Sequence, residues 1–153
     1  MIRCILKVTA CVLLLSLLLP FPSYATATMQ SQNTIYFEDG SYVTIETFVI
    51  DTRTTSTKTA SRVYTYYANN GNIDWSATLN GTFTYTGTSS TCTAASCTVS
   101  ISNSNWYEVG KNSSKIGSSA VADVTMGYKI LGITTNRKTV NMSLTCDANG
   151  NLS

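Results

Sequence analysis

The 153-residue chain contains no histidine, and only 12% of its residues are charged. Without histidine, no Ser-His or Cys-His nucleophile pair and none of the usual zinc sites can form. The sequence also contains no Gly-rich phosphate-binding loop and no dinucleotide-binding fingerprint. These absences argue against the commonest hydrolase, zinc and nucleotide chemistries, and we expect no cofactor.

The first 25 residues are typical of a secretory signal peptide. A short positive segment precedes an apolar run over residues 8–19, and the small residues Ser23 and Ala25 suit signal peptidase. The run is shorter than the ~20 apolar residues of a membrane-spanning helix. We therefore expect cleavage after Ala25, with Ala27 as the alternative, and a secreted, extracellular protein without a membrane anchor.

The remaining 128 residues have the length of one domain. Two of the ten Lys and Arg residues lie in the signal segment, which leaves eight against eight Asp and Glu. A net charge near zero argues against nucleic acid and anionic membrane as electrostatic partners. Serine and threonine make up 41 of these residues, but regularly spaced apolar positions argue against a mucin-like stalk. The sequence predicts a loose N-terminal arm over residues 26–40 and a single β domain over residues 41–153.

The clearest structural signal is a period of two that begins at residue 73. Apolar side chains and one glycine occupy the odd positions, and polar side chains occupy the even positions. Successive side chains of a strand point to opposite faces, so the pattern predicts one long strand over residues 73–86. Because a straight strand of this length would be unusual, Gly81 is expected to mark a bend or bulge. The inward face is expected to carry Ile73, Trp75, Ala77, Leu79, Phe83 and Tyr85.

Shorter alternating segments predict further strands. They lie at residues 42–50, 56–67, 97–101, 120–130 and 140–146. Turn-rich segments separate the strands, and no segment after the signal carries a helical apolar stripe. These segments include residues 69–72, 87–91, 102–105, 110–119, 131–138 and 147–151. The predicted fold class is all-β, an antiparallel sandwich or barrel of about seven strands.

Three strings of residues, STKTASRVYTYYANNG, NGTFTYTGTSSTC and SLTCDANGNLS, occur together with Trp75. They resemble a group of short secreted proteins of Gram-positive gut bacteria that have no assigned function. The resemblance covers most of the chain after the signal segment. It implies secretion and a small β domain, and it implies no catalytic residue because the strings carry no known chemistry. The cysteines of that group match Cys92 and Cys146, and Cys97 is a departure from it.

Three cysteines lie outside the signal segment. Secretion places them where disulfides persist, and three thiols allow one bridge with one left over. A Cys92–Cys97 bridge would close only a small loop and constrain the unfolded chain little. Cys97 lies on the same face of its strand as Val99 and Ile101, so we expect Cys97 to be a buried, poorly reactive thiol. Cys92 and Cys146 can meet at one end of a sandwich if their strands are neighbours, and the resemblance points to the same pair. We therefore predict a Cys92–Cys146 disulfide.

No metal site is predicted. Cys92 and Cys97 lack the second paired cluster of a zinc ribbon. Oxygen side chains alternate at Asp147, Asn149 and Asn151, as at the start of a calcium loop. The glycine and the acidic residue that an EF-hand requires are not in place, so we expect an ordinary Asn-Gly turn.

Carboxylates are the remaining candidates for catalysis, because a glycosidase needs only two of them. Eight acidic residues are scattered along the domain, and no pair is singled out by its spacing. Asp74 and Asp123 are expected on the solvated faces of their strands. The sequence therefore favours a protein that is not an enzyme, with a small carboxylate-dependent hydrolase as an alternative.

Aromatic residues give the positive indication of function. Trp106 and Tyr107 lie beside Asn103 and Asn105 in a Ser/Asn-rich segment, where rings can stack on sugars while amides bind hydroxyl groups. We expect these four residues to line an exposed, ligand-accessible edge, whereas Trp75 belongs to the core. The preferred function is a secreted, non-catalytic β-sandwich that binds a cell-surface glycan or protein. A membrane-active or self-assembling β protein is a further alternative.

Overall fold

The computed structural model describes residues 26–50 and 56–153, so the predicted signal peptide lies outside the described residues. The described chain forms eight strands and no helix: β1 (Ala27–Tyr36), β2 (Tyr42–Ile50), β3 (Thr57–Tyr67), β4 (Ile73–Tyr85), β5 (Ser90–Ile101), β6 (Trp106–Ile116), β7 (Ser119–Ile130) and β8 (Ile133–Thr145). Strands β1–β5 form one sheet in sequence order, and β6–β8 form a second. All pairings are antiparallel. The all-β prediction is confirmed, and the two sheets form a sandwich.

The core lies between the two sheets, where β3, β4 and β5 approach β6, β7 and β8. Strands β4 and β7 supply its centre, because alternate residues of a strand point to the same face. Burial of each large apolar side chain contributes roughly 1.5–3 kcal/mol to the free energy of unfolding. The fully buried large side chains are Trp75, Leu79, Phe83, Val124, Met126, Leu144 and Cys146.

Strand β4 follows the predicted alternation in its centre and departs from it at its first residue. Trp75, Ala77, Leu79 and Phe83 are fully buried, as predicted. The prediction for Ile73 is wrong, because its side chain is 45% exposed. The pairing of β4 with β3 changes register next to Ile73, and this irregularity interrupts the alternation of faces. Tyr85, at the other end, is partly buried against the core.

Gly81 is a point of close packing in the middle of β4. A Cβ atom at this position would lie 2.6 Å from Cζ of Phe83 and 3.0 Å from Cβ of Ala120. The register irregularity between β4 and β5 falls at the next two residues, Thr82 and Phe83. Glycine is therefore required here because the Phe83 ring and strand β7 approach the backbone closely.

Three segments predicted to be irregular form strands instead. Strand β1 occupies most of the arm predicted to be loose, residues 26–40, while β6 extends into residues 110–119 and β8 begins within residues 131–138. These segments are rich in polar side chains, but strand pairing requires only backbone N–H and C=O groups. Pairing with β2 and β7 therefore orders them without a strong apolar pattern.

Candidate functional site

An open cleft of about 880 Å³ lies at one end of the sandwich. The β1–β2, β3–β4 and β5–β6 connections meet there, together with the end of β7 and the start of β8, because the chain runs up and down through both sheets. Three aromatic residues, Tyr66, Trp106 and Tyr128, contribute to its lining. Amide side chains surround them at Asn69, Asn70, Asn72, Asn103 and Asn136.

Two tight turns shape the rim of the cleft. In the β3–β4 connection, the N–H of Gly71 donates to the carbonyl of Ala68 at 2.9 Å, and Gly71 has a φ of 81°. In the β1–β2 connection, the N–H of Gly40 donates to the carbonyl of Phe37 at 3.1 Å, and Gly40 has a φ of 80°. Glycine adopts this conformation at little cost. The ANNGN segment thus closes a turn whose asparagine side chains are exposed.

Asp74 joins the larger sheet to the β5–β6 connection. Its Oδ1 accepts a hydrogen bond from Nδ2 of Asn103 at 2.8 Å, and its Oδ2 accepts one from Nε1 of Trp106 at 2.9 Å. Its backbone carbonyl accepts the N–H groups of Ser102 and Asn103 at 2.9 and 3.0 Å. Asp74 is only 6% exposed, so the expectation of a solvated carboxylate is wrong. The connection covers it and satisfies its buried oxygens.

Aromatic rings form the floor of the cleft. The rings of Tyr66 and Trp75 stack with centroids 5.4 Å apart, and Trp106 packs edge-on against Tyr66, also at 5.4 Å. Tyr128 contacts Trp106 with centroids 5.2 Å apart. Tyr66 and Trp106 are 5% and 6% exposed, whereas Tyr128 is partly exposed. Tyr128 is therefore the ring of the floor that a ligand can best reach.

A chain of hydroxyl and carboxylate groups crosses one wall of the cleft. The hydroxyl of Tyr66 donates to Oγ of Ser41 at 3.0 Å, and Ser41 donates to Oδ1 of Asp39 through both its hydroxyl and its N–H group. The hydrogen bond from the Ser41 side chain is the main reason that the pKa of Asp39 lies below its usual value. Burial raises the pKa of Tyr66. Asp39 is exposed, so it is available to a ligand as an ionised acceptor.

The structure divides the four predicted binding residues. Trp106 and Asn103 line the cleft, although the Trp106 ring is almost fully buried and its N–H is engaged by Asp74. Tyr107 points to the opposite face of β6, where its hydroxyl lies 2.7 Å from Oγ1 of Thr134. Asn105 is exposed and donates from its N–H to Oδ1 of Asn103 at 3.0 Å. These two residues are not part of the cleft lining.

Sequence reasoning did not find Tyr128, Asn136 or Asp39 as members of the site. Tyr128 and Asn136 face each other across the β7–β8 pair, and Asp39 lies in the β1–β2 turn. The turn-rich segments around residues 69–72 and 131–138 were the available signal, since connections carry binding residues more often than strands do. Only the strand order shows that these connections share one end.

No group of three or more Cys, Asp, Glu or His side chains in the described chain is placed to hold a metal ion. Asp147 instead closes a turn, because its Oδ1 accepts the N–H groups of Asn149 and Asn151, both at 2.8 Å. Its Oδ2 accepts from Nδ2 of Asn151, and this side-chain hydrogen bond is the main cause of the lowered pKa of Asp147.

The predicted Cys92–Cys146 disulfide is not formed in the structure, where Cys92, Cys97 and Cys146 are free thiols. The backbones of Cys92 and Cys146 nevertheless flank one turn, because their N–H groups donate to the consecutive carbonyls of Gly117 and Ser118 at 2.9 and 3.0 Å. Both side chains are buried, and Cys97, expected in the interior, is partly buried and packs against the core. Burial raises the pKa of all three thiols, which disfavours the reactive thiolate.

In comparisons with known proteins, no family model matches the chain, and no curated protein or solved structure matches it. The resemblance to short secreted proteins of gut bacteria therefore stays a prediction. The described residues contain no helix with the length and apolar character needed to cross a membrane. The fold and the cleft define a small antiparallel β-sandwich with a polar, aromatic-floored cleft at one end.

Proposed function

We propose that the protein is a secreted, non-catalytic β-sandwich that binds an extracellular glycan in this cleft. The proposal rests on one observation, the combination of the accessible Tyr128 ring with a wall of asparagine side chains. An aromatic face packs against the C–H face of a sugar, and a side-chain amide both donates to and accepts from hydroxyl groups. A sugar presents both kinds of surface within one ring.

The charges of the cleft favour a neutral sugar. No Lys or Arg belongs to its lining among the described residues, and Asp39 is its exposed carboxylate. Lys138 lies beside the cleft, with its Nζ 5.8 Å from the centroid of the Tyr66 ring, and its charge acts on Asp39. Because these two charges offset each other, uncharged hydroxyls, which can donate to Asp39 and exchange hydrogen bonds with the amides, suit the cleft better than an anion does. Neutral hexoses and N-acetylhexosamines are therefore the ligand class that we propose.

The two carboxylates of the cleft support binding rather than hydrolysis. A glycosidase needs one carboxylic acid that stays protonated near neutral pH, and this requires a raised pKa. The pKa of Asp39 is instead lowered by the hydrogen bonds from Ser41. Both side-chain oxygens of Asp74 accept hydrogen bonds from Asn103 and Trp106, so this carboxylate is occupied in holding the fold together.

Secretion and a Cys92–Cys146 disulfide are part of the same proposal. The signal-like residues 1–25 support export. The positions of Cys92 and Cys146 beside the carbonyls of a single turn support their pairing in an oxidising compartment.

Binding of the purified secreted protein to a panel of cell-wall and host glycans, followed by calorimetric titration of each hit, tests the proposal. Asn136→Ala removes one amide of the cleft and Tyr128→Ala removes its accessible ring. We expect each variant to bind a glycan hit about tenfold more weakly, or roughly 1.4 kcal/mol. Asn141→Ala is the matched control, because this exposed asparagine lies on the same strand as Asn136 and outside the cleft.

Thermal unfolding of each variant separates a loss of binding from a loss of fold. The proposal is wrong if no neutral glycan binds. It is also wrong if a folded Asn136→Ala protein binds as tightly as the Asn141→Ala control.

A further inference from the structure

The β7–β8 hairpin ends in an exposed apolar tip. Ile130, Leu131 and Ile133 are 53%, 98% and 71% exposed. The two residues of the turn, Leu131 and Gly132, have φ values of 49° and 81°. Ile130 pairs with Ile133 across the turn, so the three aliphatic side chains lie together at the end of one hairpin. None of the three belongs to the buried core.

Neither the conformation of the turn nor packing explains why residue 131 is a leucine. It is the single residue other than glycine with a positive φ in the described chain. Two-residue hairpin turns with positive φ at both positions favour Asn-Gly or Asp-Gly, because asparagine and aspartate tolerate this conformation better than leucine does. A leucine that is strained and 98% exposed contributes nothing to the core. Such an outlier supports a role in contact with something outside the chain.

Cationic and aromatic side chains lie behind this tip on the outer face of the smaller sheet. The Lys129 ammonium lies 4.0 Å from the centroid of the Tyr107 ring. Arg137 pairs with Gly127, whose lack of a side chain leaves room for the same ring. Lys129 and Arg137 are both exposed, and neither forms an ion pair among the described residues. Leu131 lies two positions after Lys129, roughly 7 Å along a strand.

We infer that this hairpin tip inserts into the interface of a lipid bilayer that carries anionic headgroups. In the inserted state, Ile130, Leu131 and Ile133 lie among the acyl chains, and Lys129 and Arg137 lie at the level of the headgroups. Interfacial elements bury their apolar side chains about 5–10 Å deep and place Lys, Arg and aromatic rings at the boundary, and this depth matches the roughly 7 Å between Leu131 and Lys129. Cations without an acidic partner complement the negative surface potential of such a bilayer.

A bilayer fits the shape of the tip better than a protein does. The tip is convex and its central side chain is almost fully exposed, so a protein partner would need a deep pocket shaped to receive it. Fluid acyl chains close around a convex apolar tip without a preformed pocket. Because the net charge of the secreted chain is near zero, the apolar tip supplies most of the attraction, and the two cations favour anionic over neutral lipid.

Flotation with vesicles tests the inference, using the protein purified after secretion of the full chain. Vesicles of phosphatidylcholine are compared with vesicles that also contain phosphatidylserine. We expect the protein to float with the anionic vesicles and Leu131→Asn to lower its partition about tenfold. Leu131→Asn creates an Asn-Gly turn, so its thermal unfolding temperature should stay the same or rise. Lys129→Gln should weaken binding to the anionic vesicles more than binding to the neutral ones.

Ile116→Asn is the matched control, because Ile116 is 63% exposed at the opposite end of the sandwich and should not affect partition. The inference is overturned if the wild-type protein does not float, if Leu131→Asn floats equally well, or if Ile116→Asn loses as much. The inference would also be overturned if Leu131→Asn weakened binding to a purified protein partner but left binding to vesicles unchanged. The vesicles carry no glycan, so Asn136→Ala should float normally, and failure of one proposal leaves the other intact.

Discussion

The indole N–H of Trp106 donates to Oδ2 of Asp74 at 2.9 Å, so a buried carboxylate of β4 fixes the first residue of β6. The two residues belong to different sheets. Their hydrogen bond, together with the one from Asn103 to the same carboxylate, ties the β5–β6 connection to the larger sheet. One wall of the cleft therefore depends on a single buried side chain.

Replacing this carboxylate should destabilise the fold. Asp74→Asn keeps the size of the side chain but places an NH₂ group against one of two hydrogen-bond donors. Leaving a buried donor without an acceptor costs about 1–3 kcal/mol, and we expect a loss of this size in chemical denaturation. Asp123→Asn is the matched control, because Asp123 is exposed on β7. Equal stability of the two variants would contradict the role of Asp74.

Gly81 is predicted to be intolerant of a side chain. Gly81→Ala would place a Cβ atom 2.6 Å from the Phe83 ring, so the ring or the facing strand has to move. Overpacking of this kind typically costs about 1–3 kcal/mol, which chemical denaturation can measure. Gly110→Ala is the control, since a Cβ atom there would meet nothing within 4 Å. A Gly81→Ala protein as stable as Gly110→Ala would show that the site can relax.

The centre of β4 could be predicted from the sequence because each of its side chains faces either the core or the other side of the sheet. Trp75, Leu79 and Phe83 follow this rule and are fully buried. Asp74 breaks it, because its burial depends on Asn103 and Trp106, which lie far along the chain. No local pattern indicates that the β5–β6 connection folds over the end of β4.

The cleft could be predicted only in part, for the same reason. The composition of the Ser/Asn-rich segment predicts Trp106 and Asn103, but Tyr128 and Asn136 join them through the order of strands in the smaller sheet. The sequence predicts Tyr107 at the same edge, but its side chain lies on the other face of β6, next to Thr134. Adjacent residues of a strand cannot both line one cleft unless the strand is irregular there.

The Asp39 carboxyl group should make the rim of the cleft sensitive to acid. Hydrogen bonds from Ser41 lower its pKa below the usual value of 3.8. A carboxyl group whose pKa is lower in the folded state than in the unfolded state stabilises the fold at pH values above the unfolded-state pKa. This stabilisation is lost as the pH falls through the folded-state pKa. The β1–β2 turn should therefore loosen as pH falls below 3.8.

A carboxyl-detected NMR titration of Asp39 measures this directly. Ser41→Ala removes the hydroxyl donor and should return the pKa of Asp39 towards 3.8. Ser114→Ala, an exposed serine on β6, is the control and should leave the titration unchanged. A wild-type Asp39 that titrates at or above 3.8 would contradict the hydrogen-bond explanation.

The Cys92–Cys146 disulfide is the last prediction, and non-reducing peptide mapping of the secreted protein decides it. The two cysteines flank the Gly117–Ser118 turn and are both buried, so a bridge should form there, while Cys97 stays a free thiol on β5. Breaking the bridge with Cys146→Ser should cost about 2–5 kcal/mol, because the bridge closes a long loop of the unfolded chain. Cys97→Ser is the matched control and should cost less, since this thiol is partly exposed and outside the bridge. A linked peptide that contains Cys97, or a Cys146→Ser protein no less stable than Cys97→Ser, would contradict the pairing.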